Sequence, residues 1–286
     1  MADRDQPGLG RDPGQAGRAG RHLRRRDSRR GQDPAVRGLA GLAGLLLIVE
    51  ALPRFGLVND GYLPPTSRIA AALGDEVVTA EFWQAVGDTL TGWAIGLAIA
   101  VAAGVVVGIV IGAVPVLRAA TASTVEFLRP IPSVALIPLA VLLYGTDLGS
   151  TLLLVVYAAF WQVLVQVLYG VADVDPIAEE TARSFRFGPW ARIRNVLWPT
   201  ALPYVFTGVR LAASVALVLA VTAELVIGAP GLGKMIAVAQ TSGAVPDMYA
   251  LIAVTGLLGV AINLAARVFE RRSLAWHQSV RGEVPA

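Results

Sequence analysis

The chain carries six long runs of mostly apolar residues, and these runs limit its fold more than any other feature. A helix that crosses a lipid bilayer needs about 20 predominantly apolar residues. Hydrophobic residues make up 55% of the 286 residues and charged residues only 16%, a balance that excludes an ordinary soluble domain. The sequence therefore predicts an all-α polytopic membrane protein with about six transmembrane helices. The predicted spans are residues ~38–55, ~88–113, ~128–146, ~150–171, ~204–228 and ~248–268.

Arginine residues collect in the segments between alternate runs, and this asymmetry predicts an orientation. Cytoplasmic loops of membrane proteins are enriched in lysine and arginine. Six spans with both termini in the cytoplasm place the arginine-rich segments on that side, together with residues 175–203, called the polar segment below. Outside the N-terminal tail, the arginines that set this orientation are Arg118, Arg129, Arg183, Arg186, Arg192, Arg194, Arg267, Arg271, Arg272 and Arg281.

The two ends of the chain are predicted to be cytoplasmic tails. Residues 1–37 are basic and rich in glycine, and they lack periodic apolar residues, a composition typical of disorder. We favour a cytoplasmic tail here over an arm that binds nucleic acid or lipid, so no nucleic-acid partner is expected. Residues 38–272 form the predicted transmembrane domain and residues 273–286 a C-terminal tail.

The polar segment is predicted to form two short helices. Asp175 is a favourable N-cap, and Glu179 stands four residues before Arg183, the favourable order for an ion pair on a helix. Gly188, which is followed by proline, is expected to end the first helix. The second helix is expected to end before Pro199, because the residue preceding a proline is disfavoured in the helical conformation.

Six residues of the polar segment fall on a recognisable spacing: Glu180, Ala182, Arg183, Ser184, Trp190 and Pro199. This spacing resembles the cytoplasmic EAA loop of ABC-importer permeases, which has a Glu-Ala-Ala pattern, a glycine and later a Leu-Pro pair. Two positions depart from the pattern. Thr181 replaces the first alanine, and Arg186 stands where the family usually has glycine, with Gly188 two residues later. We therefore expect the turn of this loop to be shifted or remodelled.

Other segments resemble the same family in the same order, namely residues 63–66, 128–145, 223–225, 231–233 and 270–276. The resemblance covers residues 38–277. Within the family, the chain is most similar to the branch that handles nitrate, sulfonates, taurine and related small solutes. It implies a multi-pass permease in the bacterial cell membrane, working as a pair with two ATP-binding subunits and an extracytoplasmic solute-binding protein. A homodimer is favoured, although pairing with a similar chain stays open. The resemblance implies no ATPase site, catalytic residue or cofactor in this chain.

In such a permease the polar segment would couple ATP hydrolysis by the partner subunits to alternating access. The residues carried over to this role are Glu179, Glu180, Ala182, Arg183, Gly188 and Pro199. Glu180 and Arg183 would dock or brace the loop, while Ala182 and Gly188 would allow close approach. The alternative is a surface helical hairpin with solvated charges.

Three ionisable residues in or beside the predicted spans are candidates for the translocation path. Charged side chains inside membrane segments are costly and are often functional. Glu224 is expected to be either a gate residue or a structural, hydrogen-bonded anchor between helices. Arg129 and Arg210 would line the path if the solute is an anion. Arg129 could also form an interfacial pair with Glu126.

Two other kinds of site are excluded by the residue pattern. Residues 228–234 match the start of a nucleotide-binding P-loop, but methionine follows the lysine where serine or threonine is required, and a predicted span precedes it. The chain has no cysteine, and its two histidines, His22 and His277, lie at opposite ends. A metal cluster is therefore not expected.

A stripe of small residues recurs every fourth position along the second predicted span: Gly92, Gly96, Ala100, Gly104, Gly108 and Gly112. Such a stripe lets helix backbones approach closely. It is interpreted as packing within one helical bundle, with a dimer seam or a sliding gate as the alternative. For the whole protein, the alternative function is a self-contained secondary transporter or a membrane scaffold.

Overall fold

The computed structural model describes residues 34–274. The predicted tails lie outside the described residues, except for residues 34–37 and 273–274. Residues 34–37 are helical, so the first helix begins inside the predicted N-terminal tail. Every regular element in residues 34–274 is helical, which confirms the all-α fold.

The α-helices are α1 (Pro34–Arg54), α2 (Thr66–Glu76), α3 (Ala80–Ala113), α4 (Pro115–Leu128), α5 (Ile137–Tyr144), α6 (Leu148–Ala172), α7 (Pro176–Ser184), α8 (Pro189–Arg192), α9 (Trp198–Ile227), α10 (Leu232–Ser242) and α11 (Val245–Ser273). A short 3-10 turn (Ser133–Leu136) precedes α5, and a π-helical turn (Ile193–Leu197) joins α8 to α9.

The chain divides into two compact units, one ending at Leu45 and the other beginning at Leu46. In the first unit the described residues are helical and carry exposed apolar side chains such as Leu39 and Leu42. The second unit contains the buried core and every candidate site residue.

Five helical segments are long and apolar enough to cross a membrane: α1, α3, α6, the continuous run Pro189–Ile227, and α11. The predicted span at ~128–146 is not one helix. Instead, α4 and the segment containing α5 are bent by 82° at a break that contains Pro130 and Pro132. Proline has no N–H to donate to a helical hydrogen bond, and at Pro132 the backbone is extended, with φ −62° and ψ 118°. Counting the bent pair as one span gives six.

The core of the second unit is built around α6, which packs against both α3 and α9. Along α6, Leu154, Val155, Val163 and Val167 are almost completely buried. Hydrophobic side chains from α9, among them Leu219, join the same cluster. A helix buried on most of its circumference is expected to be apolar all round, as α6 is in the sequence.

Glycines on α3 allow α6 to approach closely. A Cβ atom added at Gly96 would lie 2.5 Å from Cγ1 of Val155, and one added at Gly104 would lie 2.8 Å from Cβ of Val163. Real side chains do not tolerate such distances, so these positions require glycine. The small-residue stripe therefore serves packing within the chain, which agrees with the favoured interpretation.

Candidate functional site

The first helix of the polar segment, α7, begins where the sequence predicts. The Asp175 carboxylate accepts a 2.8 Å hydrogen bond from the Ile177 N–H, and Pro176 is the first residue of the helix. Proline suits this position because the N–H that it lacks would have no partner within the helix. The predicted N-cap is confirmed.

Glu179 joins the two helices of the polar segment. Its Oε1 atom accepts a 2.8 Å hydrogen bond from Arg183, which confirms the predicted pair on α7. The same carboxylate forms an ion pair with Arg192 of α8, a contact across the turn. The hydrogen bond from Arg183, with the charges of Arg183 and Arg192, holds the pKa of Glu179 below its ordinary value despite partial burial.

We expect the ion pairs of Glu179 to stabilise this hairpin at neutral pH and to fail in acid. Because folding lowers the pKa of Glu179, its contribution is complete above the ordinary value of 4.5 and is lost as the pH falls through the lower folded value. Glu179→Gln should therefore speed amide hydrogen exchange in α7 and α8 at neutral pH. The difference from the wild-type protein should vanish at the acid end of the titration.

Glu180→Gln is the matched control, because the Glu180 carboxylate forms no ion pair with any residue in the described part of the chain. The control should exchange like the wild-type protein at every pH. If Glu179→Gln also does so, Glu179 does not hold the hairpin together.

The turn between the two helices lies at Arg186, which is the one non-glycine residue with positive φ (56°) among residues 34–274. The Arg186 N–H donates to the Arg183 carbonyl, and the Phe187 N–H donates to the Ala182 carbonyl, both at 2.9 Å. This pair of bonds is a Schellman motif, in which the left-handed residue is usually glycine.

The structure therefore corrects two expectations about this turn. The helix ends at Ser184 and not at Gly188, whose φ of −63° any residue can adopt. The turn has also kept its place, because Arg186 takes the left-handed conformation at the position where the family usually has glycine. The Schellman hydrogen bonds hold the arginine backbone in that conformation.

We expect Arg186→Gly to stabilise the hairpin by about 1 kcal/mol, because the left-handed conformation costs an L-residue roughly that much more than glycine. Thermal unfolding of the purified chain in detergent measures this as a rise in the transition midpoint. Gly188→Ala is the control. A Cβ atom at Gly188 meets no atom within 4 Å, so the midpoint should not fall. A lower midpoint for Arg186→Gly would contradict the assignment.

The sequence predicted that the second helix of the polar segment ends before Pro199, and this prediction is wrong. α8 continues through the π-helical turn Ile193–Leu197 into α9 without a break. Pro199 lies in the first turn of α9, directly after the π-helical turn. The hydrogen-bond register changes at a π-helical turn, so a residue without an N–H is accommodated there. The polar segment is thus continuous with the membrane helix that follows it.

Five large apolar side chains of the polar segment are exposed, and three of them have more than 70% of their surface exposed: Ile177 (72%), Phe185 (75%) and Trp190 (73%). These three are called the exposed apolar group below. Glu180 and Arg183 are also exposed, while Ala182 is buried. Large apolar side chains concentrated in a short exposed segment mark a contact site. No residue of the exposed apolar group was among the predicted coupling residues, although Trp190 falls on the family spacing. The sequence signal that could have identified them is the presence of large apolar residues in a stretch that is otherwise charged.

Glu224 is buried, with 1% of its surface exposed. Its Oε2 atom accepts a 2.8 Å hydrogen bond from the Thr89 hydroxyl on α3 and a 3.0 Å bond from the Gly233 N–H. The Thr89 hydroxyl oxygen in turn accepts a 2.9 Å bond from the Leu232 N–H. The carboxylate and the Thr89 hydroxyl therefore each accept a hydrogen bond from one N–H group in the first turn of α10, and these N–H groups have no partner within that helix.

The segment that resembles a P-loop is the connection between α9 and α10. Its Gly228 ends α9 in the left-handed conformation, and its Gly233 N–H is committed to Glu224. A long helix precedes it, where a P-loop needs a strand.

Residues 34–274 contain no group of three or more metal-binding side chains.

The two arginines proposed for the translocation path have different surroundings. Arg210 on α9 is paired with Glu270 near the end of α11, at 3.0 Å. Arg129 lines a cavity of about 610 Å³ together with Arg118 and Glu126. Within the described residues no ion pair joins Arg129 to Glu126, so the expected interfacial pair is absent.

Known proteins match this chain over most of its length. It is 31% identical to the taurine transport system permease protein TauC of Escherichia coli over 84% of this chain and 89% of that protein. It is 27% identical to the putative aliphatic sulfonates transport permease protein SsuC of Bacillus subtilis, over 86% and 90%. A riboflavin transport system permease protein of Chloroflexus aurantiacus is 31% identical, over 84% and 91%.

A solved structure supports the fold. The inward-facing MetNI methionine ABC transporter matches with a TM-score of 0.60 at 19% identity, over 67% of this chain and 95% of that one. Residues 100–274 match the family described as "Binding-protein-dependent transport system inner membrane component". The chain therefore belongs to this family, the inner-membrane permeases of ABC importers.

Proposed function

We propose that this chain is the permease subunit of an ATP-driven importer and that the polar segment couples it to ATP-binding subunits. The observation that carries the proposal is the exposed apolar group on a braced hairpin. Ile177, Phe185 and Trp190 supply contact area, and exposed Glu180 and Arg183 supply charges that orient the contact. Aromatic side chains surrounded by polar residues are typical of the energetically dominant part of a protein interface.

The other predicted coupling residues would support this surface. Glu179 braces α7 against α8, and buried Ala182 lets the hairpin close. Gly188 leaves open space beside the turn, so a partner can approach the backbone there. Pro199 marks the point where the hairpin passes into α9.

The continuity of α8 and α9 gives a physical route for coupling. The run Pro189–Ile227 has 39 residues, which at 1.5 Å per residue is roughly 58 Å. A displacement of the hairpin would therefore move one long helix as a lever. At the far end of that helix, Glu224 is hydrogen-bonded to α10 and α3, so the movement would reach these helices as well. Rigid-body movements of this kind are a common basis of alternating access.

The family supports a proposal for the partners, and the distribution of arginines supports one for the orientation. We propose a pair of permease chains, most simply a homodimer, with two ATP-binding subunits in the cytoplasm and a solute-binding protein outside. Both termini and the polar segment would then be cytoplasmic. The solute would be a sulfonate, nitrate, taurine or a related compound, because two of the three similar permeases named above are named for taurine or aliphatic sulfonates. The third is named for riboflavin, so riboflavin is the alternative solute to test.

Uptake into proteoliposomes tests this function. The permease, co-purified with its ATP-binding subunits, should take up radiolabelled taurine or an alkanesulfonate only when the solute-binding protein and ATP are both supplied. A complex that responds to neither solute but hydrolyses ATP on addition of its binding protein would support the coupling and redirect the search for the solute. Uptake by the permease alone, driven by an ion gradient, would contradict the proposal and favour a secondary transporter.

A further inference from the structure

We infer that the cavity between α4 and α6 binds the negatively charged group of a small oxyanion. The cavity has a volume of about 610 Å³, within the range of small-molecule sites. Its charged lining residues are Arg118, Glu126 and Arg129, and Tyr169 adds a hydroxyl group.

Arg118 lies on α4, and Arg129 follows directly after α4 in the same helical conformation, so the two arginines share one helical face. Arg118, Ala122, Val125 and Arg129 follow one another at intervals of four, three and four residues, the spacing of a single helical face. All four line the cavity. Arg118 and Arg129 are eleven positions apart, which corresponds to roughly 16 Å along the helix, so the two residues lie at different places along the cavity wall.

Neither guanidinium group is neutralised within residues 34–274. No ion pair or side-chain hydrogen bond involves Arg118 or Arg129, whereas Arg210 is paired with a carboxylate. Glu126 lines the same cavity but leaves it with one net positive charge. Two unpaired guanidinium groups beside one cavity favour an anion, because arginine presents several N–H donors to carboxylate, sulfonate or phosphate oxygens.

The cavity lies beside the part of α6 that leads along the chain into the polar segment. Its walls include Val165, Leu168 and Tyr169, in the last turns of α6, and the polar segment begins three residues after that helix ends. An anion bound here would sit at the end of the bundle that the proposed function places in the cytoplasm. Two sources share this chemistry: a solute leaving the permease, or the headgroup of an anionic lipid. The first source rests on the proposed function.

Isothermal titration calorimetry of the full-length permease in phosphatidylcholine nanodiscs tests the site, with methanesulfonate as the probe. We expect methanesulfonate to bind and the uncharged methanesulfonamide not to bind. Arg118→Ala and Arg129→Ala should each weaken binding about tenfold, since each removes one positive charge from the lining of the cavity. Glu126→Gln should strengthen binding because it removes a repulsive charge. Arg272→Ala, an exposed arginine outside the cavity, is the control and should have no effect.

A second arm separates the two sources. For this arm the nanodiscs also contain phosphatidylglycerol, and native mass spectrometry detects lipid that stays bound to the permease. If the ligand is a lipid headgroup, the wild-type permease should retain phosphatidylglycerol, and the Arg118→Ala and Arg129→Ala variants should lose it. Lipid retention or methanesulfonate binding that depends on both arginines supports the inference. If neither ligand depends on them, the inference is wrong. Neither arm contains an ATP-binding subunit, so this failure would leave the proposed coupling function standing.

Discussion

A Gly233→Ala variant should be destabilised by roughly 3 kcal/mol, because one methyl group would both overpack a close contact and break a buried hydrogen bond. A Cβ atom at this position would lie 2.7 Å from the Leu225 nitrogen and closer still to the Val221 carbonyl oxygen. Both atoms belong to the backbone of α9, which has no side-chain freedom to yield. α10 would have to move away, and the Gly233 N–H would lose the Glu224 carboxylate.

Size-exclusion chromatography after a heating series measures this effect as the temperature at which the monodisperse peak disappears. Gly256→Ala is the control, because a Cβ atom on that helical glycine of α11 meets no atom within 4 Å. Alanine is also the better helix former, so this variant should be at least as stable as the wild-type protein. Equal temperatures for Gly233→Ala and Gly256→Ala would mean that α10 does not pack closely on α9.

The double variant Phe185→Ala/Trp190→Ala should lose most of its affinity for the ATP-binding subunits. Both aromatic rings are exposed on the hairpin, and truncating one dominant aromatic residue of an interface costs about 2 kcal/mol, or roughly 30-fold in affinity. Titration of purified ATP-binding subunits onto the immobilised permease in nanodiscs measures the loss. The permease itself should keep its thermal midpoint, because neither side chain contributes to the core.

Tyr62→Ala controls for the removal of any exposed aromatic ring. Tyr62 lies between α1 and α2. Its N–H donates to the Asn59 carbonyl and its own carbonyl accepts from the Tyr249 hydroxyl. Both bonds use backbone atoms of Tyr62, so the side chain can be truncated without loss of either. Affinity should be unchanged in this variant. Equal losses in the control and the double variant would show that the hairpin has no special role in docking.

Local sequence determined which parts of this structure were predictable. The apolar runs identified α3, α6, α9 and α11, because a bilayer-spanning helix has no other way to satisfy its backbone. The Asp175 cap and the Glu179–Arg183 pair were also predictable, since their partners lie within one turn. In each case the physical cause acts over a few residues.

The features that the sequence did not reveal depend on contacts beyond one turn or on conformations that the residue type disfavours. Arginine is a poor residue for the left-handed conformation, so composition pointed to Gly188 for the turn and away from Arg186. The Glu179–Arg192 ion pair crosses that turn. Gly233 must be glycine only because α10 folds back onto α9, which a linear pattern does not show.

Site-directed cross-linking tests the central claim, that the hairpin docks on an ATP-binding subunit. The natural chain has no cysteine, so Phe185→Cys carries its only thiol, and Val78→Cys places an equally exposed thiol between α2 and α3. Each variant is labelled in membranes with a photoreactive maleimide, irradiated, and its adducts are identified by mass spectrometry. We predict an ATP-binding subunit attached at residue 185 and none at residue 78. Equal labelling at both positions, or an adduct at residue 185 with a protein that does not bind ATP, would contradict the claim.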